Sequence, residues 1–106
     1  MTHKILAVGI VMLVFIACST QPPITDDQVK SAISASNDFD LHEKAFIVAT
    51  KKLVKKGTCT LSELNEMGGW LKAQTEVYQP VYFTYCGGMK IKNRIYLNTS
   101  TGKVYK

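Results

Sequence analysis

Histidine is almost missing from this chain: His3 and His42 are the two copies. A Ser-His-Asp hydrolase would have to be built on one of them, and no G-x-S-x-G accompanies either. H-E-x-x-H and the glycine-rich phosphate loop are missing as well. The chain is therefore not expected to be an enzyme, and no cofactor or metal is implied. A run of 18 or more apolar residues, which a membrane-spanning helix needs, is also lacking. With 106 residues the chain is too short for a dinucleotide-binding fold or an α/β barrel. Disorder is excluded in turn, because hydrophobic residues make up 46% and charged residues 20%. Acidic groups are the scarcer sign, 8 against 13 Lys+Arg, for a net charge of +5. What remains is one small basic domain that gains from an extra staple.

The apolar material is concentrated at the front. His3 and Lys4 open a short basic start, and Ile5 to Ala17 is unbroken apolar sequence. That run is shorter than the ~20 residues of a spanning helix and suits the apolar region of a secretory signal peptide. It ends in Phe15-Ile16-Ala17-Cys18. This tetrapeptide resembles the lipobox of bacterial lipoproteins, with a small residue, Ala17, before the cysteine. Phe15 departs from the Leu, Val or Ile usual at its position. The resemblance covers residues 1–19 alone. It implies a signal peptide over 1–17 and removal of that segment before Cys18. It also implies a diacylglyceryl thioether on the Cys18 sulfur and acylation of its amine. Three acyl chains make a stable anchor where one is marginal. Ser19 in place of Asp implies, in a Gram-negative bacterium, release to the outer membrane with the domain facing the periplasm. Residues 18–24, with Pro22 and Pro23, read as an extended lipidated tether. Residues 25–106 are the folded domain.

With Cys18 taken by lipid, Cys59 and Cys86 remain. In an oxidising compartment a disulfide is the expectation. Closing that loop limits unfolded-chain entropy by about 3.5 kcal/mol. Two other readings stay open: a zinc site of Cys59, Cys86 and His42, which lacks a close C-x-x-C pair, and a reactive thiol at Cys59 with His42 as base.

Three helices are legible. Thr25 and Gln28 have capping-box spacing, and Val29, Ala32 and Ile33 give the following helix, to about Ala35, an apolar side. Leu41 to Lys56 is the longest helix, with Asp40 as its expected cap and Gly57 as its stop. Leu41, Ala45, Phe46, Val48, Ala49 and Leu53 are expected on its core face, with Ile47 and Val54 on a second strip. Lys44, Lys51 and Lys55 line a third strip, and Lys52 and Lys56 crowd the last turn. Solvated lysines complementing the helix dipole are the blander reading; attraction to anionic headgroups or glycans is the sharper one. Thr60 and Glu63 open a third helix that Gly68-Gly69 ends. Glu63 and Glu66 read as solvated surface. Trp70 is either a core plug or a carbohydrate-stacking ring.

From Pro80 onward the pattern is β. Val81 to Cys86, Met89 to Asn98 and Lys103 to Tyr105 read as strands. Pairing Asn98 with Lys103 sends Leu97 and Val104 to the core together. In the first hairpin a two-residue Gly87-Gly88 turn would pair Cys86 with Met89. That displays Phe83, Tyr85, Lys90, Lys92 and Arg94 as an aromatic-basic plate. A three-residue loop would pair Cys86 with Lys90 and bury Phe83 and Tyr85 beside Ile91 and Ile95. Burial of Val81 and Phe83 stabilises by ~1.5–3 kcal/mol each, so the buried register is expected unless the aromatics serve a binding surface, and both registers stay open.

The expected fold is α+β: two or three helices, then a three-stranded antiparallel meander, held by one disulfide. The expected function is a lipid-anchored periplasmic accessory protein. It would act through an envelope protein partner as a complex stabiliser, receptor blocker or inhibitor. The alternative is a peptidoglycan- or lipopolysaccharide-binding module, an anionic-glycan reader that uses Trp70, Phe83, Tyr85, Lys90, Lys92 and Arg94. Nucleic acid is not an expected ligand.

Overall fold

A computed structural model describes residues 23–76 and 78–106. The signal segment, Cys18 and all of the tether before Pro23 lie outside the described residues. Three helices and a four-stranded antiparallel sheet follow one another along the chain: α1 (Asp26–Ile33), α2 (Phe39–Lys55), α3 (Leu61–Met67), β1 (Leu71–Lys72), β2 (Val81–Tyr85), β3 (Arg94–Asn98) and β4 (Lys103–Tyr105). Strand order in the sheet is the order in sequence. The α+β class is as expected, with a fourth strand, β1, added at the edge of β2. At two residues, β1 is too short to show an alternation in sequence.

Local chemistry sets the helix ends. Thr25 Oγ1 accepts from the Gln28 amide at 3.2 Å and Gln28 Oε1 accepts from the Thr25 amide at 2.8 Å, which starts α1. Thr60 and Glu63 repeat the device at α3. Gly57, at φ 79°, follows α2: its amide bonds Val54 O and the Thr58 amide bonds Leu53 O, satisfying carbonyls the helix leaves open. The start of α2 corrects the expectation. Asp40 is not its cap. The helix begins at Phe39 after Asp38, which sits in the left-handed region at φ 54° and makes no side-chain cap. The Asp38 carboxylate is taken by the Tyr82 hydroxyl instead, at 2.6 Å. His42, at φ −125°, then kinks the helix one turn in.

The buried face of α2 keeps Phe46, Ala49 and Leu53 as expected but takes in Ile47 and Thr50 in place of Leu41 and Val48. Phe46, Ile47, Ala49, Thr50 and Leu53 are buried, whereas Leu41 is 77% and Val48 49% exposed. Thr50 goes inside because its hydroxyl accepts from the Trp70 indole N–H at 3.1 Å. Trp70 is itself wholly buried, stacked on Phe46 with ring centres 6.1 Å apart. Its backbone amide donates to Ser36 Oγ at 2.8 Å. Gly69 makes this approach possible: a Cβ there would lie 2.2 Å from Ser36 Oγ.

In the sheet, Tyr82 and Thr84 of β2 oppose Leu97 and Ile95 of β3, all four buried against the helices. Phe83 and Tyr85 oppose Tyr96 and Arg94 on the other face. The expected burial of Phe83 and Tyr85 is thus overturned. The alternation keeps the sense of the two-residue-turn register, but pairing starts only at Tyr85 with Arg94. Residues 86–93 form a loop closed by a short helical turn, Ile91–Asn93. The Asn93 side-chain amide donates to Gly87 O at 2.9 Å and Gly88 O at 3.1 Å, which fixes the loop. Met89 and Ile91, expected on the core face of a strand, are 70% and 77% exposed in it. The second hairpin is as expected, with Asn98 opposite Lys103 and Leu97 opposite Val104.

Cys59 and Cys86 form a disulfide, Cα atoms 5.2 Å apart, joining the start of α3 to the end of β2. Glu63 reinforces the same junction. One carboxylate oxygen accepts from the Thr60 amide and the other from the Gly87 amide at 2.7 Å. The Gly87 bond, then that to Thr60, holds the Glu63 carboxyl below its ordinary pKa. Glu63 is therefore the cap its spacing to Thr60 predicts and also a brace to the 86–93 loop, where solvated surface was expected of its carboxylate.

Candidate binding face on the sheet

The helices pack on one face of the sheet, and the other carries an aromatic cluster. Strand periodicity puts Phe83 and Tyr85 side by side on β2, Tyr96 opposite Phe83, and Tyr105 opposite Tyr96. Phe83 meets Tyr85 edge to face with ring centres 5.6 Å apart, and Tyr96 at 6.2 Å. Tyr96 stacks on Tyr105 at 5.5 Å. Four rings thus run in contact across three strands.

Arg94 lies over this cluster. Its guanidinium carbon is 4.5 Å from the Phe83 ring centre and 5.3 Å from that of Tyr85. Its Nε donates to the Tyr85 hydroxyl at 2.8 Å. Hydrogen bonds to Tyr96 and Tyr85 raise the Arg94 pKa further, so the charge is permanent. At the far edge the Lys103 ammonium sits 5.8 Å from the Tyr105 ring centre. Beside Tyr85, a recess of about 240 Å³ opens between α3 and the Gly88-Met89 loop.

Of the residues singled out in sequence, Phe83, Tyr85 and Arg94 come together here. Trp70 does not: it is the core plug, on the helix side of the sheet. Lys90 and Lys92 are exposed but belong to the 86–93 loop, off the strand. Tyr82 faces the core, where burial and then the Asp38 hydrogen bond push its hydroxyl pKa up. Sequence reasoning left Tyr105 out. The signal was present, because Leu97 opposite Val104 forces Tyr96 opposite Tyr105.

The remaining chemistry is accounted for within the fold. Both sulfurs of the zinc and thiol readings are in the disulfide. His42 packs against Phe46 and Tyr82, with ring centres 5.9 and 5.3 Å away. Among the described residues no group of three His, Cys, Asp or Glu side chains is placed to hold a metal. Cys18 lies outside the described residues. No protein-family model, curated protein or solved structure matches the chain.

Proposed function

We propose that this chain is a lipid-anchored envelope lipoprotein. Its folded domain is an accessory module that engages a protein partner through the aromatic face of its sheet. The observation that carries the reading is the outward cluster of Phe83, Tyr85, Tyr96 and Tyr105 with Arg94 laid across it. Tyrosine and arginine dominate the binding energy of protein interfaces, and phenylalanine is enriched in them. Rings already locked against one another lose little side-chain entropy when a partner covers them. The Phe15-Ile16-Ala17-Cys18 sequence supports the anchor.

A photoreactive phenylalanine analogue at Tyr96 or Tyr105 tests the face in intact cells. It should capture one discrete envelope protein, while the same analogue at Ser31 on α1 captures none. Equal capture from both faces, or none from either, rejects the reading. The anchor is tested separately by intact mass: residues 1–17 gone and Cys18 carrying glyceride and acyl mass. A chain that keeps its first methionine and gains no lipid rejects it.

Lys103 over Tyr105 supports a second reading, an anionic glycan such as peptidoglycan or lipopolysaccharide at the β4 edge. That reading expects cosedimentation with the polymer that fades with salt and with Lys103→Ala. Absence of binding at low salt removes it.

A further inference from the structure

The outward face of α2 is the second large exposed surface that the core leaves unused. Leu41, Lys44, Val48, Lys52 and Lys55 follow one another at intervals of three and four residues along it, with Lys51 at its flank. Leu41 and Val48 are 77% and 49% exposed, so two apolar side chains stand among cations. Grooves of about 570 and 450 Å³ run on either side of the Leu41–Val48 ridge, the second bounded by the Thr99–Gly102 turn. Lys30 pairs with Glu43 at 3.1 Å and Lys51 pairs with Asp26. Asp40 lies at the first turn and lines the larger groove. Lys44, Lys52 and Lys55 have no ion pair among the described residues. The face is therefore cationic and partly apolar, the composition that suits a lipid–water interface.

Where the chain joins the domain bears on this face. Asp26, the first residue of α1, is held on Lys51 of α2. Pro23 to Thr25, just before it, thus enter beside the lysine stripe. From Cys18 to Thr25 the chain can reach at most about 25 Å when extended. A lipid on Cys18 would keep this face near the headgroups. At that local concentration an attraction too weak to bind a free protein suffices.

We propose that the outward face of α2 docks on the anionic lipid surface that holds the anchor, with Leu41 and Val48 at the headgroup boundary and Lys44, Lys52 and Lys55 on lipid phosphates. This rests on the lipoprotein reading for the anchor, while the docking face itself stands on α2. Because α2 and the aromatic cluster occupy opposite layers, docking points Phe83, Tyr96 and Tyr105 away from the membrane. The partner face is thereby left open.

The test uses the mature protein in phosphatidylcholine vesicles with and without phosphatidylglycerol. Val48→Trp is the reporter and Tyr105→Trp the control on the opposite layer. The expected result is a blue shift of Val48→Trp emission, quenched by brominated lipid, only when phosphatidylglycerol is present. Raising salt well above ~0.1 M should reverse it. Each of Lys44→Ala, Lys52→Ala and Lys55→Ala should lower the docked-to-undocked ratio about fivefold. Intact mass of the same sample separates the two ideas. Lipid on Cys18 with no blue shift in anionic vesicles overturns the docking and leaves the anchor. A blue shift and cosedimentation without lipid on Cys18 overturns the anchor and leaves the docking face. An equal shift at Tyr105→Trp overturns the orientation.

Discussion

Two aromatic clusters share β2 and lie back to back. On the helix side Tyr82 joins Phe46, Trp70 and His42. Phe46, Trp70 and Tyr82 are buried there, with Trp70 donating to Thr50 and Tyr82 to Asp38, and half-buried His42 packs at their edge. On the open side Phe83, Tyr85, Tyr96 and Tyr105 touch one another but stay half-buried or exposed. The Tyr85 and Tyr96 hydroxyls bond Arg94, a group that is always charged and stays near solvent. Adjacent residues of one strand thus serve two ends. The inner cluster lies in the core, and the outer one is an ordered surface on the sheet's open face.

The sharpest way to break this comparison is to delete one ring from each side. Trp70→Ala should destabilise by about 3–5 kcal/mol, since a fully packed ring and its hydrogen bond are lost. Tyr96→Ala should cost under about 1.5 kcal/mol in the same denaturant titration. Equal losses would mean that both clusters are core. Next in size is the staple. Cys59→Ser with Cys86→Ser should lower stability by about 3 kcal/mol, read as a shift in urea midpoint that reductant no longer changes. A midpoint unmoved from that of the oxidised parent would show that Glu63 alone secures the junction.

Between the clusters, Thr84 is wholly buried and its hydroxyl has no hydrogen-bond partner among the described residues. Thr84→Val should therefore raise stability by about 1 kcal/mol, seen as a higher Tm. A lower Tm would reveal a partner for that oxygen. The smallest effect concerns acid. Glu63 has a folded pKa below its unfolded value of ~4.3, so its stabilisation is complete above that value. It is lost as pH falls through the lower folded pKa. Glu63→Gln should flatten that part of the melting-temperature profile; a profile unchanged by the substitution would assign the acid loss to other carboxylates.

The features legible in sequence were those whose chemistry is local. Thr25 with Gln28, Thr60 with Glu63, and Gly57 after Lys55 satisfy helix ends within a few residues, and each was found where expected. The Asn98–Lys103 hairpin is equally local. What failed depended on partners far away. Tyr82 faces inward with its hydroxyl on Asp38, 44 residues distant, and that contact accompanies the opposite orientation of Phe83 and Tyr85. Thr50 enters the core to meet Trp70, 20 residues on, which turns Val48 outward. Hydropathy alone ranks Val above Thr and Phe above Tyr for burial, so it selected the wrong member of each pair. In the candidate site, Phe83, Tyr85 and Arg94 were named in sequence. Lys90 and Lys92 were lost because the loop claims eight residues instead of two or three.

The position of Glu63 has a consequence for how the chain matures. Its carboxylate grips the amide next to Cys86 from a helix that starts just beyond Cys59, without help from sulfur. A chain folded with both thiols still reduced would keep them near each other through that grip. Oxidation would then close a gap that folding has already narrowed, and a reductant that cuts the disulfide would leave the Glu63 bond to the Gly87 amide to tie its two halves.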